Sequence, residues 1–405
     1  MNEAAASAGK GPLSVEEALA RILDRVEPLP VEEVPIAEAH GRVLAAPLAA
    51  QHSQPPFDAS AMDGYAVRLI DVAAVPVRLR VVGESAAGRG YQGMVGSGEA
   101  VRIFTGAPVP YGADAIVIQE NTTRDGASVV VGPGEHDPGY IRKRGFDFVQ
   151  GQALLEAGRV LNAREIMLAA AMGHGRVPVR RRPKVVLLAT GDELVLPGTP
   201  PGPDQIVCSN PFGIAAMVAG AGGVPSFGGI AKDTRAALNA KLDAARDADI
   251  VVTIGGASVG DHDLVGPVLA ERGMALDFWK IAMRPGKPLM FGKLAGQRVM
   301  GVPGNPVSSM ICARVFLVSL IRRLLGLGDH DFARRRARLG VAMSANGPRQ
   351  HYARAILEGG EVRPVTSQDS SLIAALARSN ALIVQAPHAP RAEAGTDVEV
   401  LLLDF

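Results

Sequence analysis

Apolar positions recur at helical spacing near the start of the chain. Val15, Ala18, Leu19, Ile22, Leu23 and Val26 fall on one helical face. Ser14 with Glu17 makes a capping-box start for this helix, and Pro28 and Pro30 stop it. A second helix is expected over Val34 to Ala45. The pattern then shortens. Val75 to Val82, Ala100 to Thr105, Ala115 to Gln119 and Ala127 to Val131 are β-rich runs separated by Gly and Pro clusters, which predicts a β domain inserted after the first helices. Asn162 and Glu165 form another capping-box pair, opening a helix that Gly173 closes.

From residue 183 to about 326, apolar runs and helical patterns alternate. Lys184 to Thr190, Val224 to Ile230, Ile250 to Ile254, Phe278 to Ala282 and Arg298 to Val302 read as strands. Asn210 with Pro211 starts one helix. Asp233 is the expected cap of another over Thr234 to Ala245, and Leu264 to Arg272 and Val307 to Leu325 are two more. Such alternation predicts a parallel, doubly wound sheet with ligands at the carboxyl ends of its strands. After Gly328, Arg334, Arg335, Arg336 and Arg338 form a basic run, read as a solvated linker. The remainder shows short alternating apolar segments, which predicts a small β-barrel or sandwich.

Composition narrows the function classes. The chain has 405 residues and is 47% hydrophobic, so several domains with real cores are expected. A formal net charge of +1 leaves no global excess to hold nucleic acid or an anionic membrane. Two cysteines, Cys208 and Cys312, cannot build a disulfide framework or a Cys-rich zinc site. With no long apolar span and no signal-peptide pattern at the start, a soluble cytoplasmic protein is expected.

The strongest local signal is Gly255-Gly256-Ala257-Ser258-Val259-Gly260-Asp261-His262-Asp263, between a strand and a helix. Its glycines let the backbone approach a ligand, and free N–H groups at a helix start favour an oxyanion. The spacing fits neither the dinucleotide fingerprint nor a Walker A loop. Val302-Pro303-Gly304-Asn305-Pro306 is a second loop at the same predicted edge. Asp192, Glu193, Asp233, Asp261 and Asp263 recur there too, which suits a Mg²⁺–phosphate site. Lys280, Arg284 and Lys287, stiffened by Pro285 and Pro288, are candidate oxyanion ligands. Phe57 to Ala66, Thr105 to Pro110 and Arg142 to Asp147 are constrained loops in the β region.

Taken together, the segments Asp58 to Ala66, Thr105 to Pro110, Arg142 to Asp147, Thr190 to Leu194, Gly255 to Asp263, Trp279 to Pro288 and Val302 to Pro306 resemble the molybdopterin molybdenumtransferase family, which is related to the C-terminal part of gephyrin. The resemblance spans nearly the whole chain and weakens after Gly328. It implies a multidomain α/β plus β fold. Residues 12–50 and 150–182 would form a discontinuous N-terminal linking domain, and 51–149 an inserted β-rich domain. Residues 183–328 would form a molybdopterin-binding-like α/β domain, and 329–405 a C-terminal β-barrel.

The resemblance also implies insertion of molybdenum from molybdate into adenylylated molybdopterin, with Mg²⁺ present and AMP released. It implies a homodimer that contacts the adenylyltransferase and molybdoenzymes. Asp63, Thr105, Asp147, Glu193, Lys280, Arg284, Arg354 and Ser370 would be catalytic, with Arg349 a competitor for the place of Arg354. Gly255, Gly256, Ser258, Gly260, Lys287, Pro303, Gly304 and Asn305 would bind the pterin phosphate, and Asp233, Asp261 and Asp263 the metal. Two other functions compete. A molybdopterin adenylyltransferase uses a similar α/β domain alone, so segments 1–182 and 329–405 argue for insertion. A non-catalytic, gephyrin-like anchor would bind a partner peptide instead.

Overall fold

The structure is a computed structural model that describes residues 11–134, 138–256, 264–328 and 334–403. The chain divides into two compact units, Met1–Glu32 with Arg180–Phe405, and Glu33–Val179. Among the described residues no helix is long and apolar enough to cross a membrane.

The first unit opens with helix α1 (Val15–Leu23). Its capping box is formed: Glu17 N–H donates to Ser14 Oγ at 3.1 Å, and Ser14 N–H donates to Glu17 Oε2 at 2.8 Å. Val15, Ala18 and Ile22 are buried, as the spacing predicts.

The α/β domain follows. It contains strand β1 (Lys184–Thr190), helix α2 (Asn210–Gly220), β2 (Val224–Ala231), α3 (Arg235–Ala244), β3 (Ile250–Ile254), α4 (Val265–Glu271), β4 (Ala275–Phe278), β5 (Met290–Leu294), β6 (Gln297–Val302) and α5 (Pro306–Cys312). The sheet order is β2-β1-β3-β6-β5-β4. The first four strands are parallel, and every residue of β3 is buried, which explains its uninterrupted apolar run. Strands β5 and β4 run antiparallel and extend the sheet at its β6 edge, a hairpin that the alternation does not predict. Its two-residue turn is Ala295-Gly296, with φ of +48° and +88°, the handedness of a type I′ turn. The long helix expected over Val307 to Leu325 is interrupted: α5 passes through a π-helical turn, Ala313–Leu317, into α6 (Val318–Leu324).

The chain ends in a barrel of β7 (Arg334–Leu339), β8 (Gln350–Glu358), β9 (Glu361–Pro364), β10 (Ala381–Gln385) and β11 (Asp397–Leu402). Pairing runs β8-β9-β7-β11-β10 and returns to β8, so the ring closes. Closure removes the open edges and encloses a small core of Ala337, Leu339, Ala353, Ala355, Val362, Ala381, Ile383 and Val400. The basic run is therefore not a linker. It is β7, with Arg334, Arg336 and Arg338 pointing outward while Ala337 and Leu339 point in. Arg334 pairs with Glu399 across the ladder. The two-residue strand Met283–Arg284 adds in parallel to β8 at Gln350 and His351.

The second unit carries a six-stranded sheet, in the order Ala115–Ile118, Gly64–Val67, Glu99–Ile103, Val77–Ser85, Ser128–Val131, Thr122–Asp125. A side chain on Gly64 would place Cβ 1.9 Å from the Val117 carbonyl oxygen, so glycine in Met62-Asp63-Gly64-Tyr65 answers to strand packing. A separate core joins Leu44 and Leu48 to Phe148, Leu155, Leu161, Ala169 and Met172, from segments on either side of the β-rich stretch. Here the helix Ala163–Ala171 has its Asn162/Glu165 capping box. The helix expected over Val34 to Ala45 does not form. Val31–Pro35 is a strand and Ile36–Glu38 a single 3₁₀ turn, because Pro35 lacks an N–H and Gly41 turns the chain at φ +70°.

Candidate active site

The carboxyl ends of β1, β3 and β6 form the floor of a cleft of about 900 Å³. Here the sheet becomes loop. After β3 the chain turns at Gly255 (φ +86°) and Gly256 (φ +59°). A Cβ on Gly255 would meet the Thr190 carbonyl oxygen at 3.0 Å, so both the turn and the contact with β1 require glycine. Gly255 N–H donates to the Val302 carbonyl at 3.1 Å, which ties this loop to the end of β6. An ideal Cβ on Gly304 would stand 3.6 Å from Gly255 Cα, so the two glycine loops lie side by side. Thr190 Oγ1 is buried in this floor and has no hydrogen-bond partner among the described residues.

The walls are polar. Glu193, Asp233 and Lys287 line the cleft and are exposed. Asp233 is not the helix cap expected of it. Thr234 takes that role, its Oγ1 accepting from Ala237 N–H at 3.2 Å, and Asp233 lines the cleft. Asp233 N–H donates to Asp192 Oδ1 at 3.3 Å, which fixes the turn after β2. Cys208 also lines the cleft; burial, reinforced by the nearby Glu193 carboxylate, pushes its thiol pKa up and keeps it protonated. The thiol of Cys312 is wholly buried elsewhere, and burial raises its pKa further.

Asn210 is a site residue that sequence reasoning assigned only to capping. The cap position belongs to Ser209, and Asn210 is the first helical residue. Its Nδ2 donates to the Gly304 carbonyl at 2.7 Å and so braces the second glycine loop. On the other side Asn305 Nδ2 donates to Ser370 Oγ at 3.1 Å, and Val307 N–H donates to the Ser370 carbonyl at 3.0 Å. Thus Ser370 is brought from the barrel to the cleft, one residue from Ser371, which lines it. The only sequence signal for Asn210 was an amide at a helix start just beyond a sheet edge, and for Ser371 there was none.

Other candidate residues are placed differently. Ser258, Gly260, Asp261 and Asp263 lie outside the described residues. Lys280 and Arg284 are exposed but do not line the cleft as the described residues form it. Arg284 sits beside the barrel, where burial first, and then the charges of Arg284 and Arg349, depress the pKa of His351. Arg354, for which the resemblance implies a catalytic place, is 1% exposed, and its guanidinium donates to the carbonyls of Leu372, Ser367 and Asp369. In the second unit, Asp63 Oδ1 accepts from Thr105 N–H at 2.7 Å and from Thr105 Oγ1 at 2.8 Å. Those two bonds, the backbone one first, hold its pKa below the usual carboxylate value. Asp147 is exposed, and its N–H donates to the Gln54 carbonyl at 2.9 Å.

Comparison with known proteins gives a consistent result. Residues 13–173 match the family model of the MoeA N-terminal region (domain I and II). Residues 186–323 match a probable molybdopterin binding domain, and 336–403 the MoeA C-terminal region (domain IV). A protein of Nostoc sp. named molybdopterin molybdenumtransferase is 41% identical over 308 residues, 73% of this chain and 70% of that one. Molybdopterin molybdenumtransferase 2 of Mycobacterium tuberculosis is 37% identical over 383 residues, 91% of this chain and 94% of its own. Among solved structures, a molybdopterin biosynthesis MoeA protein from Pyrococcus horikoshii superposes with a TM-score of 0.86 at 31% identity, covering 98% of this chain and 100% of that one.

Proposed function

Because this chain belongs to the molybdopterin molybdenumtransferase (MoeA) family, it is an enzyme that inserts molybdenum into molybdopterin, and we propose that it does so in the cleft above β1, β3 and β6. In this reading the substrates are adenylylated molybdopterin and molybdate, and AMP leaves. One observation carries it: two abutting glycine loops, two carboxylates and Lys287 share a single cleft at the carboxyl edge of a mostly parallel sheet.

The chemistry asks for this combination. Molybdate is a dianion and must approach a dithiolene attached to a phosphate ester. Lys287 offsets the repulsion from inside the cleft, and Lys280 and Arg284 add positive potential from the same segment. The Gly255-Gly256 and Gly304-Asn305 turns hold a phosphate-bearing group through the backbone N–H groups of Gly256, Gly304 and Asn305, the Gly255 N–H being used by the Val302 carbonyl. Pro303 and Pro306 limit the freedom of the second turn.

Mg²⁺ fits the donor set. Glu193 and Asp233 are hard oxygen ligands on the cleft wall, and Mg²⁺ is ordinarily held by one or two carboxylates together with substrate phosphates. Among the described residues no three His, Cys, Asp or Glu groups converge on a ready-made cation cage. Asp261 and Asp263 are assigned to the same site. When bound, Mg²⁺ supplies Lewis-acid polarisation of the phosphoanhydride. Asp63, Thr105 and Asp147 are assigned only a contribution to activity. The proposal includes a cytoplasmic homodimer that exchanges substrate and product with the adenylyltransferase and molybdoenzymes.

A single-turnover assay tests the reading. Protein mixed with adenylylated molybdopterin, molybdate and Mg²⁺ should release AMP in step with cofactor formation. Lys287→Met and Glu193→Gln should each slow this by about 10²-fold, the order seen when one transition-state charge or donor is removed. Unchanged rates in both folded variants would sink the assignment.

A further inference from the structure

The barrel reaches the cleft through one short loop, and a buried arginine shapes it. Arg354 lies on β8 with its guanidinium closed off from solvent. Nη1 donates to the Leu372 carbonyl at 3.0 Å, and Nη2 donates to the carbonyls of Ser367 at 3.0 Å and Asp369 at 2.8 Å. A fixed guanidinium fork holds three carbonyls of one turn in one geometry, which a point-like ammonium cannot copy.

The backbone of Arg354 joins in. Its N–H donates to Gln368 Oε1 at 2.9 Å, and its carbonyl accepts from Gln368 Nε2 at 2.9 Å. Within the turn, Asp369 Oδ1 accepts from Ser371 N–H at 2.9 Å and from Ser371 Oγ at 2.6 Å. The shaped turn then presents Ser370 to Asn305 and Val307, and Ser371 and Ile373 to the cleft.

We propose that Arg354 is a positioning residue: it acts by holding the Ser367–Leu372 turn so that Ser370 locks the Pro303–Pro306 loop from the barrel side. This rests on the cleft being the site of insertion. A charge buried without its hydrogen bonds would be costly, so the guanidinium and the turn fix one another. The inference separates two roles that look alike in an activity screen. An arginine that contacts molybdate should matter through its charge. One that shapes a turn should matter through its fork, with the loss passing through Ser370 and Asn305.

The test uses the full chain. Arg354→Lys keeps the charge and removes the fork. Amide hydrogen exchange of residues 367–373 should speed up at least about 10-fold, with the rest of the barrel unchanged. The kcat/KM for adenylylated molybdopterin should fall by about 10²-fold, the order expected for a misplacement of about 1 Å. Adding Ser370→Ala with Asn305→Ala to Arg354→Lys should cost less than the product of the separate losses, because the three act in series. Independent, multiplying losses would overturn the proposal. So would reduced activity with unchanged exchange in the turn, or full activity with a loosened turn. Should Arg354→Lys not fold, Gln368→Ala provides the same readings, since it releases the turn from the other side. A wild-type protein that inserts no molybdenum would refute the functional reading instead, and the exchange measurements would still decide whether Arg354 holds the turn.

Discussion

The α/β floor and the barrel wall approach the cleft in opposite ways. The floor offers backbone, and it works because a side chain is missing at Gly255. The wall offers a turn whose carbonyls a large side chain, Arg354, holds from behind. One region should therefore fail when atoms are added and the other when atoms or hydrogen bonds are removed. A site joined from such regions is vulnerable in two distinguishable ways.

The sharpest way to break this comparison is to add bulk to the floor. Gly255→Val places a branched side chain at φ +86° and against the Thr190 carbonyl. Insertion activity should fall by about 10²-fold or more, since reacting groups in the cleft would be displaced by about 1 Å. Circular dichroism should show whether the fold survives, and full activity in the folded variant would mean that the floor tolerates added atoms after all.

On the barrel side, His351 supplies a pH test. Its Nδ1 lies 3.1 Å from Gln385 Oε1, and burial, with Arg284 and Arg349, lowers its pKa from the usual 6.5. The folded state therefore resists the proton that the unfolded state accepts. The resulting stability is complete above pH 6.5 and is lost as the pH falls below it toward the depressed value. The slope contributed by this group approaches, but does not exceed, about 1.4 kcal/mol per pH unit. Urea titrations of the wild type and of His351→Gln between neutral pH and pH 5 should diverge, the variant losing less. Parallel curves would remove His351 from the account.

The smallest effect is expected far from the cleft. Ala295 holds φ +48° in the β5–β6 turn, a conformation that costs a non-glycine residue about 1–2 kcal/mol. Ala295→Gly should recover part of this, about 0.5–1 kcal/mol after glycine's own entropy cost, and raise the melting temperature slightly while leaving activity alone. A lower melting temperature would show that the turn is not strained.

Patterns that are local and repeated could be read directly. Ser14 with Glu17, Asn162 with Glu165, and the apolar run Ile250 to Ile254 each announced an element because a cap or a doubly buried strand is written in adjacent residues. Gly255-Gly256 and Pro303-Gly304-Asn305 were legible as loops at strand ends for the same reason. Charge misled where faces had to be known. Arg334 to Arg338 looks like a linker until β11 pairs with it and makes it a barrel strand. Asp233 looks like a cap until Thr234 takes the bond.

Short-range chemistry thus determined the elements, the family resemblance and the two glycine loops, since capping, turning and alternation depend on neighbours a few residues away. Tertiary structure alone decided that Asn210 braces Gly304, that Ser370 reaches Asn305, and that Arg354 faces three carbonyls. Those partners are separated by 13 to 94 residues along the chain. Only closure of the barrel and its packing beside the sheet brings their hydrogen-bonding groups within reach, and no local pattern encodes that distance.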